Sequence, residues 1–419
     1  MLTRGFSQSI NEDMIFKIAI DKSEINKIAA FNVEIHNEPL ENYIISLFTQ
    51  DPLRDENYWL YIEDTSTGEI ISSLALLSNY WSFAGLELKI AEMGFVGTLT
   101  KHRGKGLYKI LNTFYEKLMK QENLFVSVLR GIPHFYSKYG YGFSLPTEKG
   151  YCIKTDQIEF VQPNKELLIR IAIDSDFVHI EDEYNKIFEY TFISSTFKLE
   201  NFKYRFNSSK LNDNFGITYI VEKFEKIIGF FTMVPSFDYS TSRIFLISDM
   251  EKAVVTHILH YIKETFEISD KICLNISDSM RVYVKLSELE LIPMKGWKWQ
   301  IKITNLGNLI SSFIPILQER LSRSTFSDLT ETFSISNYKE VVYFQIHQGN
   351  VKIIESKKEW PDHRCTIRVP SNYLPMFIFG DKSYSEIKNI VPDIMITAKY
   401  IELMNVLFPK LESFPIYRY

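Results

Sequence analysis

The chain has little cysteine: three in 419 residues, Cys152, Cys273 and Cys365. They lie far apart, are odd in number and form no CxxC pair. Neither a disulfide framework nor a zinc site is expected, and the pattern suits a reducing compartment. No charge dominates: 47 Lys and Arg stand against 52 Asp and Glu, a net charge of −5. With the signs interspersed and no basic stripe, a nucleic-acid surface is not expected. The mild acidity is compatible with a cationic partner. Long apolar runs are missing, so no membrane span is expected. The start, MLTRGFSQSINEDMIFKIAI, lacks a basic segment followed by a long apolar one, which argues against a signal peptide and for a cytoplasmic location. There is no GxxxxGK[ST] and no GxGxxG after a strand, so a P-loop and a dinucleotide fingerprint are excluded.

The length allows two to four domains, and 45% apolar with 15% aromatic residues can build a sizeable core. One stretch, Leu86 to Phe143, organises the rest. A strand running to about Thr100 carries Met93, Phe95, Val96 and Leu99. The turn Lys101-His102-Arg103-Gly104-Lys105-Gly106 follows, then a helix with Leu107, Ile110, Leu111, Phe114 and Leu118 on one face. A second strand is predicted over 125–129. A glycine pair between strand and helix frees backbone N–H groups, and the helix N-terminus adds positive charge, so such a turn can hold phosphate. Arg103 and Lys105 add full charges. Taken alone, the tetrapeptide RGKG would more often be a solvated loop.

VGTLTKHRGKGLYKIL resembles the acetyl-CoA-binding motif of the GNAT superfamily of N-acetyltransferases, (Gln/Arg)-x-x-Gly-x-(Gly/Ala) after a Val-x-Val-like strand end. Gly104 and Gly106 match it; Lys101 stands where Gln or Arg is usual and Thr98 takes the second Val position. The resemblance implies that Val96, Gly97 and Thr98 bind the pantetheine arm through their backbone, and that the amides of Arg103, Gly104, Lys105, Gly106 and Leu107 cradle the pyrophosphate. Further on, GIPHFYSKYGYGF resembles the segment carrying the general acid in Eis-type members of that superfamily, Tyr-x-(Arg/Lys)-aromatic-Gly-Tyr. Tyr136 matches the acid; Phe135, Tyr139 and Tyr141 read as core and turn aromatics.

Upstream, a strand over 14–20, a helix capped by Ser23, a short helix opened by Pro39 and a hairpin over 58–77 complete a first unit that closes near residue 150. In the GNAT fold the helical pair shapes the acceptor side of the cleft. Residues 167–300 repeat the order in worn form: a strand, a long helical region to about Phe197, a hairpin, a strand ending at Ile247, a helix from about Glu251, and another strand. Here the turn SDMEKAV has no glycine and puts Asp249 and Glu251 where phosphate would sit, which repels a pyrophosphate. His257 and His260 lack a third ligand and read as structural. From Trp297 the composition changes to alternating strands. NYLPMFIFGDKS and LFPKLESFPIYRY resemble the sterol-carrier-protein-like C-terminal domain of Eis-type enzymes.

The expected fold is therefore α/β (α+β). Residues 1–150 form a GNAT acetyl-CoA-binding catalytic domain, 151–296 a degenerate GNAT-like mixed-sheet domain and 297–419 a sterol-carrier-protein-like α+β domain. The resemblance implies transfer of an acetyl group from acetyl-CoA, without a metal, to a small-molecule or lysyl primary amine such as an aminoglycoside or polyamine. It also implies a homo-oligomer, hexameric in Eis-type proteins. Tyr136 would be the acid and the Tyr419 α-carboxylate the base, with Glu92 on the central strand as the rival base. The alternative is a catalytically idle acyl-CoA or lipid binder on the same scaffold.

Overall fold

The fold is that of a computed structural model, which describes residues 1–147, 149–162, 166–189, 191–209, 216–234, 240–357 and 365–416. The chain gathers into two compact units. The first holds residues 1–38, 56–145 and 298–413; the second holds 39–55, 146–297 and 414–419.

In the first unit, β1 (Ser7–Ser9) and β2 (Met14–Ile18) lead into α1 (Lys22–His36). Asp21, not Ser23, caps α1: its side chain accepts the Glu24 N–H at 3.0 Å, the bond that an N-cap supplies. The next helix, α2 (Glu41–Thr49), packs with the second unit, where Ser46 Oγ donates to the Tyr204 hydroxyl at 3.1 Å. Then come β3 (Tyr58–Asp64), β4 (Ile70–Phe83), β5 (Leu86–Thr98), α3 (Leu107–Gln121), β6 (Val126–Leu129) and β7 (Gly142–Pro146). The β4–β5 turn is two residues long, with Ala84 and Gly85 both at positive φ (50° and 83°), the geometry that matches the strands' twist. Strands β1 to β6 lie side by side in sequence order, with β5 and β6 parallel and α3 crossing between them. The helix buries Leu107, Leu111, Phe114 and Leu118 as expected. Tyr108, Tyr115 and Met119 join them, while Ile110 is only half-buried.

The second unit contains β8 (Tyr151–Lys154), β9 (Leu167–Ile171), α4 (Phe177–Ile187), β10 (Ile193–Ser195), α5 (Leu199–Ser209), β11 (Ile217–Lys223), β12 (Lys226–Val234), β13 (Thr241–Ile247), α6 (Lys252–Thr265), β14 (Lys271–Leu274), α7 (Arg281–Leu286) and β15 (Ile292–Pro293). Its sheet runs β15-β8-β14-β13-β12-β11-β9. The helical region expected to reach Phe197 is broken by β10, which bridges to Phe414 in parallel. Phe414 and Ile416 are fully buried in this unit's core. The expectation of no disulfide is corrected here: Cys152 and Cys273 are bonded. Strands β8 and β14 pair antiparallel with these two residues directly opposite. A sequence separation of 121 hides that register.

After β15 the chain returns to the first unit. β16 (Lys298–Ile303) pairs antiparallel with β6, Gln300 opposite Leu129, and takes the place between β6 and β7. Its buried Trp299 packs 5.9 Å from Trp81, so this strand completes the first sheet, although its pattern read as the start of a separate domain. Beyond it lie α8 (Leu306–Ser322), β17 (Glu331–Ser336), β18 (Val341–His347), β19 (Asn350–Lys357), β20 (Ile367–Arg368), α9 (Leu374–Ile378), α10 (Tyr384–Ile390), β21 (Met395–Ile396) and α11 (Ile401–Leu407). Their strands form a separate sheet, β19-β18-β17-β20-β21, and α8 stacks Phe313 on Phe83 at 3.9 Å. No helix among the described residues is long and apolar enough to cross a membrane.

Candidate active site

The site is built on β5. Toward β4 the pairing continues to Thr98, opposite Ser72, but with a bulge: Phe95 and Val96 together face Leu74, between the pairs Gly94–Ala75 and Gly97–Ser73. Phe95 sits at φ 51°, a conformation that L-residues rarely adopt outside a special turn or site. Buried Asn32 of α1 supports it from below, donating to Ser73 Oγ at 3.2 Å, and Ser73 Oγ donates to the Phe95 carbonyl at 3.3 Å. Gly97 is needed for close approach: a Cβ there would lie 2.8 Å from Ile35 of α1.

On the other edge, β5 and β6 are paired only at Ala91–Ser127 and Glu92–Val128. From Met93 onward β5 has left β6, so this stretch, which holds Val96 and Thr98, has no ladder partner on that edge. Glu92 stands at the point of parting and is 6% exposed.

The strand runs on into the glycine turn before α3. Gly104 and Gly106 have φ of 79° and 78°, which glycine alone adopts freely, and a Cβ on either would meet nothing within 4 Å. Gly106 is the N-cap of α3 and no side chain caps the helix, so its first amides keep no intrahelical partner. Open space, free N–H groups and a helix N-terminus together fit a pyrophosphate. The cations are arranged less freely than the sequence suggests. Lys101 is paired with Glu69 at 2.7 Å, Arg103 Nε donates to the Thr98 carbonyl at 3.3 Å, and Lys105 Nζ lies 3.3 Å from His102 Nδ1.

Tyr136 opens the short 3-10 turn Tyr136–Tyr139 and is 6% exposed. Its ring meets Tyr108 edge-on at 5.8 Å, and Tyr108 in turn reaches Met93 Sδ at 3.5 Å, which places Tyr136 one ring away from the parted stretch of β5. Burial pushes the Tyr136 phenol up to about 12, so it keeps its proton at neutral pH, and its hydroxyl has no hydrogen-bond partner among the described residues. Tyr141 and Tyr115, in contrast, are tied into the interior through Ser127 Oγ, at 2.7 Å each. That agrees with a structural reading of Tyr141.

Two supports were not read from the sequence. A Cβ on Gly131 would sit 2.2 Å from the Tyr136 ring, and Gln300 of β16 holds the Gly131 carbonyl at 2.8 Å. The Gly-Ile-Pro run was a visible signal for the first. The second needed the long-range pairing of β16. Tyr419 lies outside the described residues. Among those described, no group of His, Cys, Asp and Glu could hold a metal, and His260 instead meets Phe160 edge-on at 5.1 Å.

Residues 20–144 match the acetyltransferase (GNAT) domain family. No curated protein matches the sequence. Among solved structures, the chain resembles a conserved protein of unknown function from Enterococcus faecalis, described as a probable N-acyltransferase (13% identity, TM-score 0.72, 96% of this chain and 100% of that one). It also resembles a GCN5-related N-acetyltransferase from Kribbella flavida (12%, TM-score 0.67, 96% and 100%) and Eis1 from Mycobacterium abscessus (13%, TM-score 0.64, 96% and 99%). At these identities the solved structures establish the fold alone, a mixed α/β architecture with which two tandem GNAT-like domains are consistent. The family match supports an N-acetyltransferase, and acyl transfer is the general chemistry.

Proposed function

We propose that this protein is an acetyl-CoA-dependent N-acetyltransferase that acetylates a primary amine, such as an aminoglycoside, a polyamine or a lysyl side chain, by direct attack. The carrying observation is the juxtaposition of an open, doubly left-handed glycine turn with the point where β5 leaves β6, near a buried tyrosine with an unengaged hydroxyl. GNAT domains use acetyl-CoA, which supplies the activated thioester. In this reading the amides from Arg103 to Leu107 hold the pyrophosphate, and the backbone of Val96, Gly97 and Thr98 aligns the pantetheine arm. The amine nitrogen forms the new bond to the acetyl carbon as the carbon–sulfur bond breaks. Tyr136 gives its phenolic proton to the departing sulfur, and a carboxylate takes the proton from the amine. Either the Tyr419 α-carboxylate or Glu92 fills that last role; Glu92 gains support from its place where the strands part. A sterol-carrier-protein-like fold for the 297–419 region, a homo-oligomer and a cytoplasmic location remain part of the same proposal.

The test is thiol release from acetyl-CoA across a panel of polyamines, aminoglycosides and lysyl peptides. A rise with at least one class is expected. Binding of acetyl-CoA with no rise for any amine would leave the idle acyl-CoA binder as the better account. For the base, Glu92→Gln is set against a single glycine appended after Tyr419, which displaces the carboxylate by up to about 3.3–3.6 Å. The variant that loses transfer while keeping cofactor binding identifies the group.

A further inference from the structure

A cavity of about 490 Å³ lies within the first unit on the side of the Tyr136–Tyr139 turn formed by Ser137, Lys138 and Gly140. Its other walls are Asn337–Lys339 between β17 and β18, Pro370–Asn372 before α9, and Asp393 with Met395, the first residue of β21. The size is that of a small-molecule site. The walls are fixed by the backbone. A Cβ on Gly142 would overlap the Asn372 carbonyl, Ser371 Oγ donates to the Asn337 carbonyl at 2.9 Å, and the Tyr338 hydroxyl donates to the Asp393 carbonyl at 2.8 Å. Tyr338 itself is held at φ 68°.

The charge in this cavity is unbalanced. Lys339 forms no ion pair among the described residues, and its Nζ lies 3.9 Å from where a Gly140 Cβ would be. Lys138 rides over the Phe135 ring at 4.3 Å and likewise meets no carboxylate among the described residues. Asp393 is the one acidic side chain in the lining, and Asn337 and Asn372 supply amide groups. The Lys339 ammonium, with the Asn337 and Asn372 amides and Lys138 on the same lining, is suited to donate charge-assisted hydrogen bonds to an anion.

We propose that this cavity binds a small organic anion bearing phosphate or carboxylate groups, separately from the cofactor turn. The test is calorimetric titration of two probes, inorganic pyrophosphate for the phosphate class and citrate for the carboxylate class. The protein carries Gly104→Glu, so that the glycine turn does not contribute whether or not it binds coenzyme A. One probe is expected to bind near one per chain, and adding Lys339→Glu, an exposed substitution that leaves the core intact, should weaken it by roughly tenfold or more. A matched thermal midpoint for the two proteins checks the fold. Three results would each overturn the proposal: neither probe binding, equal binding after Lys339→Glu, or binding only in the protein that retains Gly104.

Discussion

The two units each place a strand, a turn and a helix at the same point of a similar sheet, and the two turns are opposite in character. After β5, Gly104 and Gly106 take left-handed backbone and leave the first amides of α3 open. After β13 the turn is already filled by its own side chains. Asp249 accepts from Lys285 and lies 3.7 Å from Arg281, and Lys285 also donates to the Met250 carbonyl at 2.6 Å. Ser248 Oγ closes the inner side on the Phe230 backbone. A carboxylate and its internal counter-ion therefore stand in the second unit where the first keeps room for an anion. The frame alone does not make a phosphate site; unoccupied donors and the absence of side chains do.

The sheets differ in a related way. In both, a bulge interrupts the pairing between the central strand and its neighbour, at Leu74 opposite Phe95 and Val96 in the first and between Thr232 and Met233 in the second. In both, the strand next to the parallel pair comes from elsewhere in the chain. β16, which follows the second repeat, enters the first sheet between β6 and β7, and β8, which precedes the second repeat, lies between β14 and β15. The kinship of the two frames is thus topological, while the glycine turn belongs to the first alone.

The largest effect on cofactor affinity should come from making the first turn resemble the second. Gly104→Glu puts a side chain at φ 79° and a carboxylate beside phosphates. Close-range repulsion of about 1 kcal/mol per charge pair in water and about 1–2 kcal/mol of left-handed strain predict a loss of acetyl-CoA affinity of roughly 100-fold, with the fold retained. Calorimetry checks this, and a normal isotherm would remove the turn from the site.

On turnover the corresponding test is Tyr136→Phe, which deletes the proton donor and keeps the ring. Turnover should fall by roughly 10²–10⁴-fold with acetyl-CoA affinity nearly unchanged. Single-turnover kinetics are the right readout, because product release often sets kcat. Unchanged chemistry would return Tyr136 to a packing role.

The disulfide sharpens the contrast from the side of stability. Replacing Cys152 and Cys273 together by alanine should cost the second unit about 2–4 kcal/mol and leave acetyl-CoA binding alone. Denaturant unfolding without reductant measures it; no change in midpoint would mean that the bond contributes nothing. Asp249→Asn should have the smallest effect. This half-exposed pair contributes roughly 0–1 kcal/mol, and cofactor affinity should not move.

One pH effect belongs to the same tyrosine. Its pKa is raised by burial to about 12 from an unfolded value of 10. The stability it contributes is therefore complete below about pH 10 and is lost as pH rises toward about 12, because the unfolded chain gives up the proton first. The thermal midpoint should fall less steeply above about pH 10 in Tyr136→Phe than in the parent.

Much of the first frame was legible because its signals are local. The apolar face of α3, the glycine pair and the aromatic run around Tyr136 each lie within a few residues. The worn turn at Asp249 was legible for the same reason. What was hidden depends on partners distant in sequence. The parting of β5 from β6 is set by where β6 ends, and the bulge by the register with β4. Gln300 reaches the Gly131 carbonyl only because β16 crosses into the first sheet, 169 residues away in sequence. The cysteines looked isolated for an equivalent reason, since only the β8–β14 register brings them together.

The central claim is that one of two similar frames holds the cofactor. Calorimetric titration of the intact chain with acetyl-CoA tests it most directly. The account predicts one site per chain, abolished by Gly104→Glu and untouched by Asp249→Asn. A stoichiometry near two, or one site that survives Gly104→Glu, would contradict it.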